Sequence, residues 1–365
     1  MIGLTRRAAG WTALAPVLAL LALALTWGRE LPAVLVAVVA VLLAGAVLAA
    51  VHHAEVVAHR VGEPFGSLVL AVAVTVIEVA LILSLVASGG HGSEALARDT
   101  VFAAIMITCN GIVGLCLTAG TLRRRVVAFN AEGSGGALAT VATLATLSLV
   151  LPTFTTSRRG PAFAPEQLAF AAVCSLALYG LFVLTQTVRH RDYFLPVTAE
   201  GEVIDEDGHA ARPSGARTLA SLALLLVALV GVVGLAKVES PVIESAVAGA
   251  GLPHAVVGVV IALLVLLPET LAALRAARRD RLQTSLNLAL GSAMASIGLT
   301  IPAIAVASIW LSGPLVLGLD ATHMVLLALT VVVSTLTVVP GRATLLQGGV
   351  HLALFAAFLF LAVSP

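Results

Sequence analysis

The sequence has few charged residues. Only 11% of its 365 residues are Asp, Glu, Lys or Arg, while 60% are apolar. A soluble domain carries about a quarter charged residues, so this chain has too few to cover the surface of a water-soluble fold. The composition excludes a soluble globular domain and predicts a protein whose solvent is lipid.

Lysine and cysteine are also scarce. Lys237 is the single lysine among 20 basic residues, which balance 19 acidic ones, and this near-neutral charge gives no reason to expect nucleic acid as a partner. The three cysteines, Cys109, Cys116 and Cys174, lie in apolar runs, where cysteine behaves as a small hydrophobe. Neither a disulfide framework nor a Cys-x-x-Cys metal site is therefore expected.

Motifs of intramembrane enzymes are missing as well. The chain contains no His-Glu-x-x-His and no Asp-Asp-x-x-Asp sequence, and no Gly-x-Ser-x-Gly sequence lies at the end of an apolar run. An intramembrane hydrolase or lipid-phosphate transferase is thus only a distant alternative. The expectation is a protein that is not an enzyme and needs no cofactor.

Long apolar runs are abundant. A span needs about 20 mostly apolar residues to cross the hydrocarbon core, and the sequence predicts an all-α integral membrane protein of about eleven such helices. A cleaved signal peptide ending near Ala22-Leu23-Ala24 is the alternative for the first run, but its continuation to Trp27 favours retention. The predicted spans are 11–27, 31–51, 64–88, 100–122, 136–156, 165–188, 217–237, 252–274, 283–311 (with a candidate kink at Pro302), 322–339 and 343–363.

The basic residues predict the orientation. With a cytoplasmic N-terminus and eleven crossings, fifteen arginines fall on the cytoplasmic side, and only four arginines and Lys237 fall outside. This asymmetry follows the positive-inside rule and predicts a multi-pass protein of the inner (plasma) membrane. The hydrophilic stretch 189–216, which contains Glu200 and Asp205, then forms an acidic cytoplasmic linker that is either simply solvated or able to gather divalent cations.

The linker divides the chain into two halves. The predicted organisation is an N-terminal helix in 1–30, a five-helix repeat in 31–188, the linker in 189–216 and a second five-helix repeat in 217–365. An odd number of helices per half inverts one half relative to the other. Inverted repeats are typical of transporters that bind substrate near the membrane midplane. A cation channel is a distant alternative that fits inverted halves with titratable acids less well.

The second helix of each half contains a glutamate deep in apolar sequence: Glu78 in the first half and Glu269 in the second. Fifteen residues before each lies another polar residue, Glu63 or His254, which we assign to proton handling or gating. A charged carboxylate near the bilayer centre costs at least ~2.5 kcal/mol. We therefore expect both glutamates to face a cavity and bind a cation. The structural alternative is an ion pair, for which Arg275 is within reach of Glu269.

Such carboxylates would couple protons to cations. Removal from water favours the protonated form of a carboxylate, and a bound cation favours the ionised form. Protons and cation therefore compete for one site. Oxygen ligands indicate a hard cation such as Ca²⁺ or Na⁺, and breaks at Pro64 and Pro268 would add backbone carbonyls. The predicted ligands besides the two glutamates are Thr75, Asn110, Ser292 and Ser296, with Thr108, Thr270 and Thr300 as further candidates.

Two regions resemble the signature regions of the Ca²⁺/cation antiporter superfamily, most closely its bacterial ChaA-like Ca²⁺/H⁺ (Na⁺/H⁺) antiporters. The second runs from Pro268-Glu269-Thr270 to Pro302, and the first comprises Gly62-Glu-Pro-Phe-Gly66 through Glu78, then Arg98-Asp-Thr-Val-Phe-Ala-Ala and Asn110-Gly-Ile-Val-Gly-Leu115. The resemblance implies eleven helices, an acidic loop after the sixth and a cation site between the third and eighth. It also implies that the essential acids are Glu78 and Glu269.

The chain departs from the superfamily's Gly-Asn-x-x-Glu pattern. Val74 and Thr75 occupy the Gly and Asn positions of the first half, and Val265 and Leu266 those of the second. The expected function is proton-coupled export of Ca²⁺, or of Na⁺ or K⁺, with lipid, protons and inorganic cations as the only expected partners. The alternative is a Na⁺/H⁺ or K⁺/H⁺ antiporter for pH homeostasis that has little Ca²⁺ activity.

Overall fold

The computed structural model describes residues 2–29, 31–61, 73–83, 93–196, 213–310 and 315–365. Within these residues, nine helices are long and apolar enough to cross a membrane, and Gly10–Thr26 and Ala73–Leu83 are shorter apolar helices. The predicted all-α membrane fold of about eleven helices is confirmed. The helices are α1 (Ile2–Thr26), α2 (Ala33–Val61), α3 (Ala73–Leu83), α4 (Ser93–Met106, continuing to Thr121), α5 (Ala131–Phe154), α6 (Pro165–Arg189), α7 (Gly215–Gly249), α8 (Ala255–Arg278), α9 (Leu282–Ala307), α10 (Ala321–Val338) and α11 (Leu345–Val363).

Three of these helices contain a π-helical turn, in which the backbone hydrogen bond spans five residues. The turns are Ile107–Ile112 in α4, Thr146–Val150 in α5 and Thr185–Arg189 at the end of α6. Such turns are rare and occur frequently at functional sites. Two short strands, β1 (Val127–Ala128) and β2 (Arg342–Ala343), pair antiparallel and join the α4–α5 and α10–α11 connections.

The seventh helix is longer than predicted. The sequence placed its end at residue 237, but α7 continues through Lys237 and Pro241 to Gly249. From the sequence, the charge of Lys237 predicts the end of the span. In the structure, its ammonium nitrogen lies 5.5 Å from the ring centroid of Trp27, and this cation–π contact stabilises the charge within the helix. A proline inside a membrane helix removes one hydrogen bond without ending the helix.

Prolines do not interrupt the other helices where the sequence suggested breaks. α8 runs continuously through Pro268, so the expected break beside Glu269 is absent. α9 continues through Pro302 as one α-helix. Pro64 and residues 197–212 of the predicted acidic linker lie outside the described residues.

The chain forms two compact units, each of which contains helices from both predicted halves. The first unit comprises the described residues of 1–93 and 209–257, and the second those of 94–208 and 258–365. In the first unit, α1, α2 and α7 pack against one another. Ala19 faces Gly231 and Leu23 faces Gly234, so α1 and α7 run in the same direction at close range.

The second unit is built around α4, which is almost entirely buried. Both α11 and α9 pack against α4, and α9 also packs against α5 and α6. Glycine at position 298 permits the contact between α9 and α6, because a Cβ atom there would lie 2.7 Å from the Cβ atom of Tyr179. The core of this unit is therefore formed by helices that small residues bring close together.

Candidate cation site

Glu78 lies in α3 with 4% of its surface exposed, and Thr75, one turn earlier, is 5% exposed. Ile77 and Leu81 are also buried, whereas Val76 is 45% exposed, so the carboxylate lies on the face of α3 that packs inside the protein. Glu78 is therefore a buried acid on an apolar helix, and its assignment as a cation ligand stays a prediction. Both residues belong to the first compact unit.

Glu269 is half-buried in α8, in the second compact unit. Its neighbour Thr270 donates its hydroxyl hydrogen to the carbonyl oxygen of Leu266 at 2.7 Å, which is the usual role of threonine in a helix. Pro268 lacks an N–H group, so the backbone carbonyl one turn earlier is without its helical donor.

α8 lies close to α4 near its start, and the connection that follows α4 contacts the end of α8 and the residues just after it. Near its start, a Cβ atom at Gly258 would lie 3.0 Å from the backbone nitrogen of Thr100, so the two backbones are close. At its end, Arg123 donates to the carbonyl oxygen of Arg278 at 2.6 Å, and Arg124 forms a two-pronged ion pair with Asp280, each contact 3.1 Å long.

Asn110 lies in the π-helical turn of α4 and is fully buried. Its amide nitrogen donates to the Thr330 hydroxyl at 2.9 Å, and its amide oxygen lies 3.2 Å from Nδ1 of His351. The Nε2 atom of the same histidine is 3.1 Å from the Thr337 hydroxyl. The predicted ligand Asn110 is therefore part of a polar network with α10 and α11.

The hydroxyl candidates differ in their contacts. Thr108 donates to the carbonyl oxygen of Ala104 at 2.7 Å, as expected for a helical threonine. Ser296 is 1% exposed, and Ser292 is half-buried on the same helix, α9. Thr300 is fully buried, and its hydroxyl has no hydrogen-bond partner among the described residues, which makes its oxygen available to a ligand.

The two residues assigned to gating are placed unequally. Glu63 lies outside the described residues. His254 precedes α8, and both of its ring nitrogens are buried without a hydrogen-bond partner in the part of the chain that the structure describes. No group of three or more His, Cys, Asp or Glu side chains that could hold a metal ion occurs among those residues.

Two buried ionisable residues on helices of membrane-spanning length were not identified from the sequence. Glu239 in α7 is 3% exposed, and its Oε1 atom has no hydrogen-bond partner among the described residues. It was missed because the predicted span ended at Lys237. His351 in α11 is 1% exposed. It lies within a correctly predicted span, so the rule that marks intramembrane ionisable residues as functional candidates would have found it.

A protein-family comparison connects this architecture with ion exchangers. The family described as sodium/calcium exchanger protein matches residues 31–188 and 220–364. An ionic transporter named y4hA, from Sinorhizobium fredii (strain NBRC 101917 / NGR234), is 49% identical over 97% of this chain and 96% of its own length. The sodium-potassium/proton antiporter ChaA of Escherichia coli (strain K12) is 35% identical over 94% of this chain and 93% of its own.

Solved structures share the fold at low sequence identity. Native YfkE superposes with a TM-score of 0.70 at 16% identity, covering 97% of this chain and 99% of that one. The H⁺/Ca²⁺ exchanger CAX gives a TM-score of 0.70 at 16% identity over 96% and 86% of the two chains. The chain is thus a multi-span membrane protein, and it belongs to the sodium/calcium exchanger family of the Ca²⁺/cation antiporter superfamily, as its two signature regions predicted.

Proposed function

We propose that this protein exchanges a cation for protons across the inner membrane by alternating access. The observation that carries the proposal is a glutamate in an apolar helix of each predicted half: Glu78 in α3 and Glu269 in α8. The two stretches matched by the family coincide with the two predicted repeats, which supports an inverted-repeat transporter.

In this mechanism, protons and cation compete for the same carboxylates. Without a cation, burial favours the protonated acids, because a low-dielectric environment disfavours the charged form. A cation that enters supplies the countercharge and displaces the protons. If only the loaded forms change access between the two sides, each crossing of a cation is matched by protons moving in the opposite direction.

We propose a monovalent cargo, Na⁺ or K⁺, ahead of Ca²⁺. Ca²⁺ takes six to eight oxygen ligands, but Val74, Val265 and Leu266 stand where the superfamily pattern has Gly and Asn, and all three are buried. A relative with 35% identity is named as a sodium-potassium/proton antiporter, which further supports a monovalent cargo.

We assign Thr75, Ser292, Ser296 and Asn110 as further oxygen ligands, and Glu63 and His254 to proton handling or gating. The buried ring nitrogens of His254 support its assignment, since neither its N–H donor nor its acceptor nitrogen has a hydrogen-bond partner among the described residues. The only partners in this scheme are membrane lipid, the cation and protons. No cofactor is required.

The cargo can be identified with inverted membrane vesicles that hold an inside-acid proton gradient. Na⁺, K⁺ and Ca²⁺ are added separately, and proton efflux is followed with a ΔpH-sensitive dye. We expect Na⁺ or K⁺ to discharge the gradient at lower concentration than Ca²⁺. Vesicles from cells that lack the protein serve as the control. If only Ca²⁺ acts, the cargo assignment is wrong, and if no cation acts, the antiport proposal is wrong.

The proposed orientation places the N-terminus in the cytoplasm and the C-terminus outside, because eleven crossings are odd in number. The parallel packing of α1 and α7 supports this scheme, since six crossings separate the two helices. We expect alkaline phosphatase fused after Pro365 to be active and a green fluorescent protein fused there to be dark. The opposite pattern would require an even number of crossings or a reversed orientation.

A further inference from the structure

α4, α10 and α11 share a continuous polar network in the core of the second unit. Its members are at most 4% exposed, so water does not compete for their hydrogen bonds. It runs from the Thr337 hydroxyl to the imidazole of His351, from there to the amide of Asn110, and on to the hydroxyl of Thr330. The Thr330 hydroxyl ends the network on the sulfur atom of Met106 at 3.5 Å.

The hydrogen-bonding roles in this network fit together without an unpaired group. The amide oxygen of Asn110 can only accept, so Nδ1 of His351 carries the hydrogen, and Nε2 accepts from the Thr337 hydroxyl. The Thr330 hydroxyl accepts from the Asn110 amide nitrogen and donates to sulfur. A fully satisfied buried network holds its members in one arrangement.

The backbone is shaped so that His351 can reach Asn110. A Cβ atom at Gly114 would lie 3.1 Å from the Cβ atom of His351 and 3.0 Å from the backbone nitrogen of Leu352, so a larger residue would push α11 away. Asn110 itself lies in the π-helical turn Ile107–Ile112. The wider turn changes the direction in which its side chain leaves the helix axis, compared with a regular α-helix.

Thr330 alone cannot fix the orientation of the Asn110 amide. A hydroxyl group both donates and accepts, so Thr330 could pair with either end of the amide. His351 lies at the other end of the amide, but its imidazole nitrogen could also donate or accept there, depending on the tautomer. The direction is set at the far end of the network, where the Thr330 hydroxyl donates to the Met106 sulfur and therefore accepts from the amide nitrogen, so that the amide oxygen faces His351. An amide oxygen has two lone pairs, so the one that His351 does not use remains available to a cation.

We propose that His351 is a positioning residue for cation binding, which acts by holding the amide oxygen of Asn110 in place. This inference rests on the proposed function, in which Asn110 is a ligand of the transported cation. His351 does not touch the cation. Because His351 also contacts the Thr337 hydroxyl, a double-mutant cycle with Asn110 is needed to isolate the part of its effect that passes through the amide.

The cycle combines His351→Leu with Asn110→Ala in the full-length protein reconstituted into liposomes. The concentration of the transported cation at half-maximal rate is measured, together with cation-dependent thermal stabilisation of the purified protein. We expect His351→Leu to raise the half-saturating concentration about five- to tenfold, as for one lost hydrogen bond, with less than a twofold change in maximal rate. In the Asn110→Ala background, we expect His351→Leu to have no further effect.

Two further variants separate positioning from packing. His351→Gln retains an N–H donor and should restore a large part of the affinity. Phe355→Leu changes a side chain on the same face of α11 that packs against Gly111 but makes no polar contact with Asn110, and should leave the half-saturating concentration unchanged.

The outcomes distinguish this inference from the proposed function. If wild-type protein binds and exchanges a cation but the two substitutions multiply in their effects, His351 acts independently of Asn110 and the positioning role is wrong. If cation binding follows the expected cycle in the purified protein while no exchange occurs, antiport is wrong and the positioning role stands. A protein that neither binds nor exchanges any of the three cations overturns both.

Discussion

Glu78→Gln and Glu269→Gln are each expected to reduce cation-driven proton release by about 100-fold or more. Glutamine keeps the size of the side chain but can neither release a proton nor supply a negative charge to the cation. Removal of one member of a buried charge pair costs roughly 3–5 kcal/mol, and each 1.4 kcal/mol corresponds to a factor of ten. The measurement is the initial rate of cation-triggered proton efflux from proteoliposomes at matched protein content.

Glu166→Gln is the matched control for these substitutions. Glu166 lies in the first turn of α6 and is exposed, so the same chemical change there should leave the rate unchanged. Glu78→Asp retains the charge but withdraws it by one methylene group, and should keep proton coupling while weakening cation affinity. Wild-type rates in both glutamine variants would assign Glu78 and Glu269 to structure, not transport.

Gly298→Val is expected to prevent α6 and α9 from packing, and to give the largest loss of stability. The added Cβ atom would lie 2.7 Å from the Cβ atom of Tyr179 and 3.1 Å from its Cγ atom. The Cβ atom of Tyr179 is attached to the α6 backbone, so it cannot rotate away and the helices must separate. Overpacking of this kind costs roughly 1–3 kcal/mol, and we expect the upper end of that range or aggregation of the purified protein.

Gly291→Val tests whether the loss is due to the contact and not to valine in a helix. Gly291 lies two turns earlier on almost the same face of α9, and a Cβ atom there meets no atom within 4 Å. Both variants place the same β-branched residue in the same helix. The unfolding temperature in detergent should fall sharply for Gly298→Val and little for Gly291→Val. Equal losses would mean that the α6–α9 contact does not limit stability.

The number and order of the helices could be predicted because a membrane imposes one length on every span. Runs of about 20 apolar residues are visible without knowledge of packing, and the predicted span 343–363 differs from α11 by only two residues at its start. The apolar run around Glu78 likewise predicted a helix, but which of its faces is buried depends on packing, since Val76 in the same run is 45% exposed.

Contacts between distant residues could not be predicted in this way. The end of α7 was misplaced because a lysine normally marks the end of a span, and the cation–π contact of Lys237 is with Trp27, which follows the end of α1 and is distant in sequence. The pairing of Asn110 with His351 spans 241 positions and depends on the close approach at Gly114. Neither periodicity nor composition contains that information.

The π-helical turns at Ile107–Ile112, Thr146–Val150 and Thr185–Arg189 bear on the ancestry of the two halves. A hydrogen bond over five residues accommodates one more residue than the α-helical bond, so in evolutionary terms each turn is equivalent to a single-codon insertion. All three lie in α4, α5 and α6, whereas α9, α10 and α11 are assigned as regular α-helices. If the two predicted repeats are copies of one ancestral sequence, an ungapped alignment of them would lose register at each turn, and alignment helix by helix with single-residue gaps is the way to test for that origin.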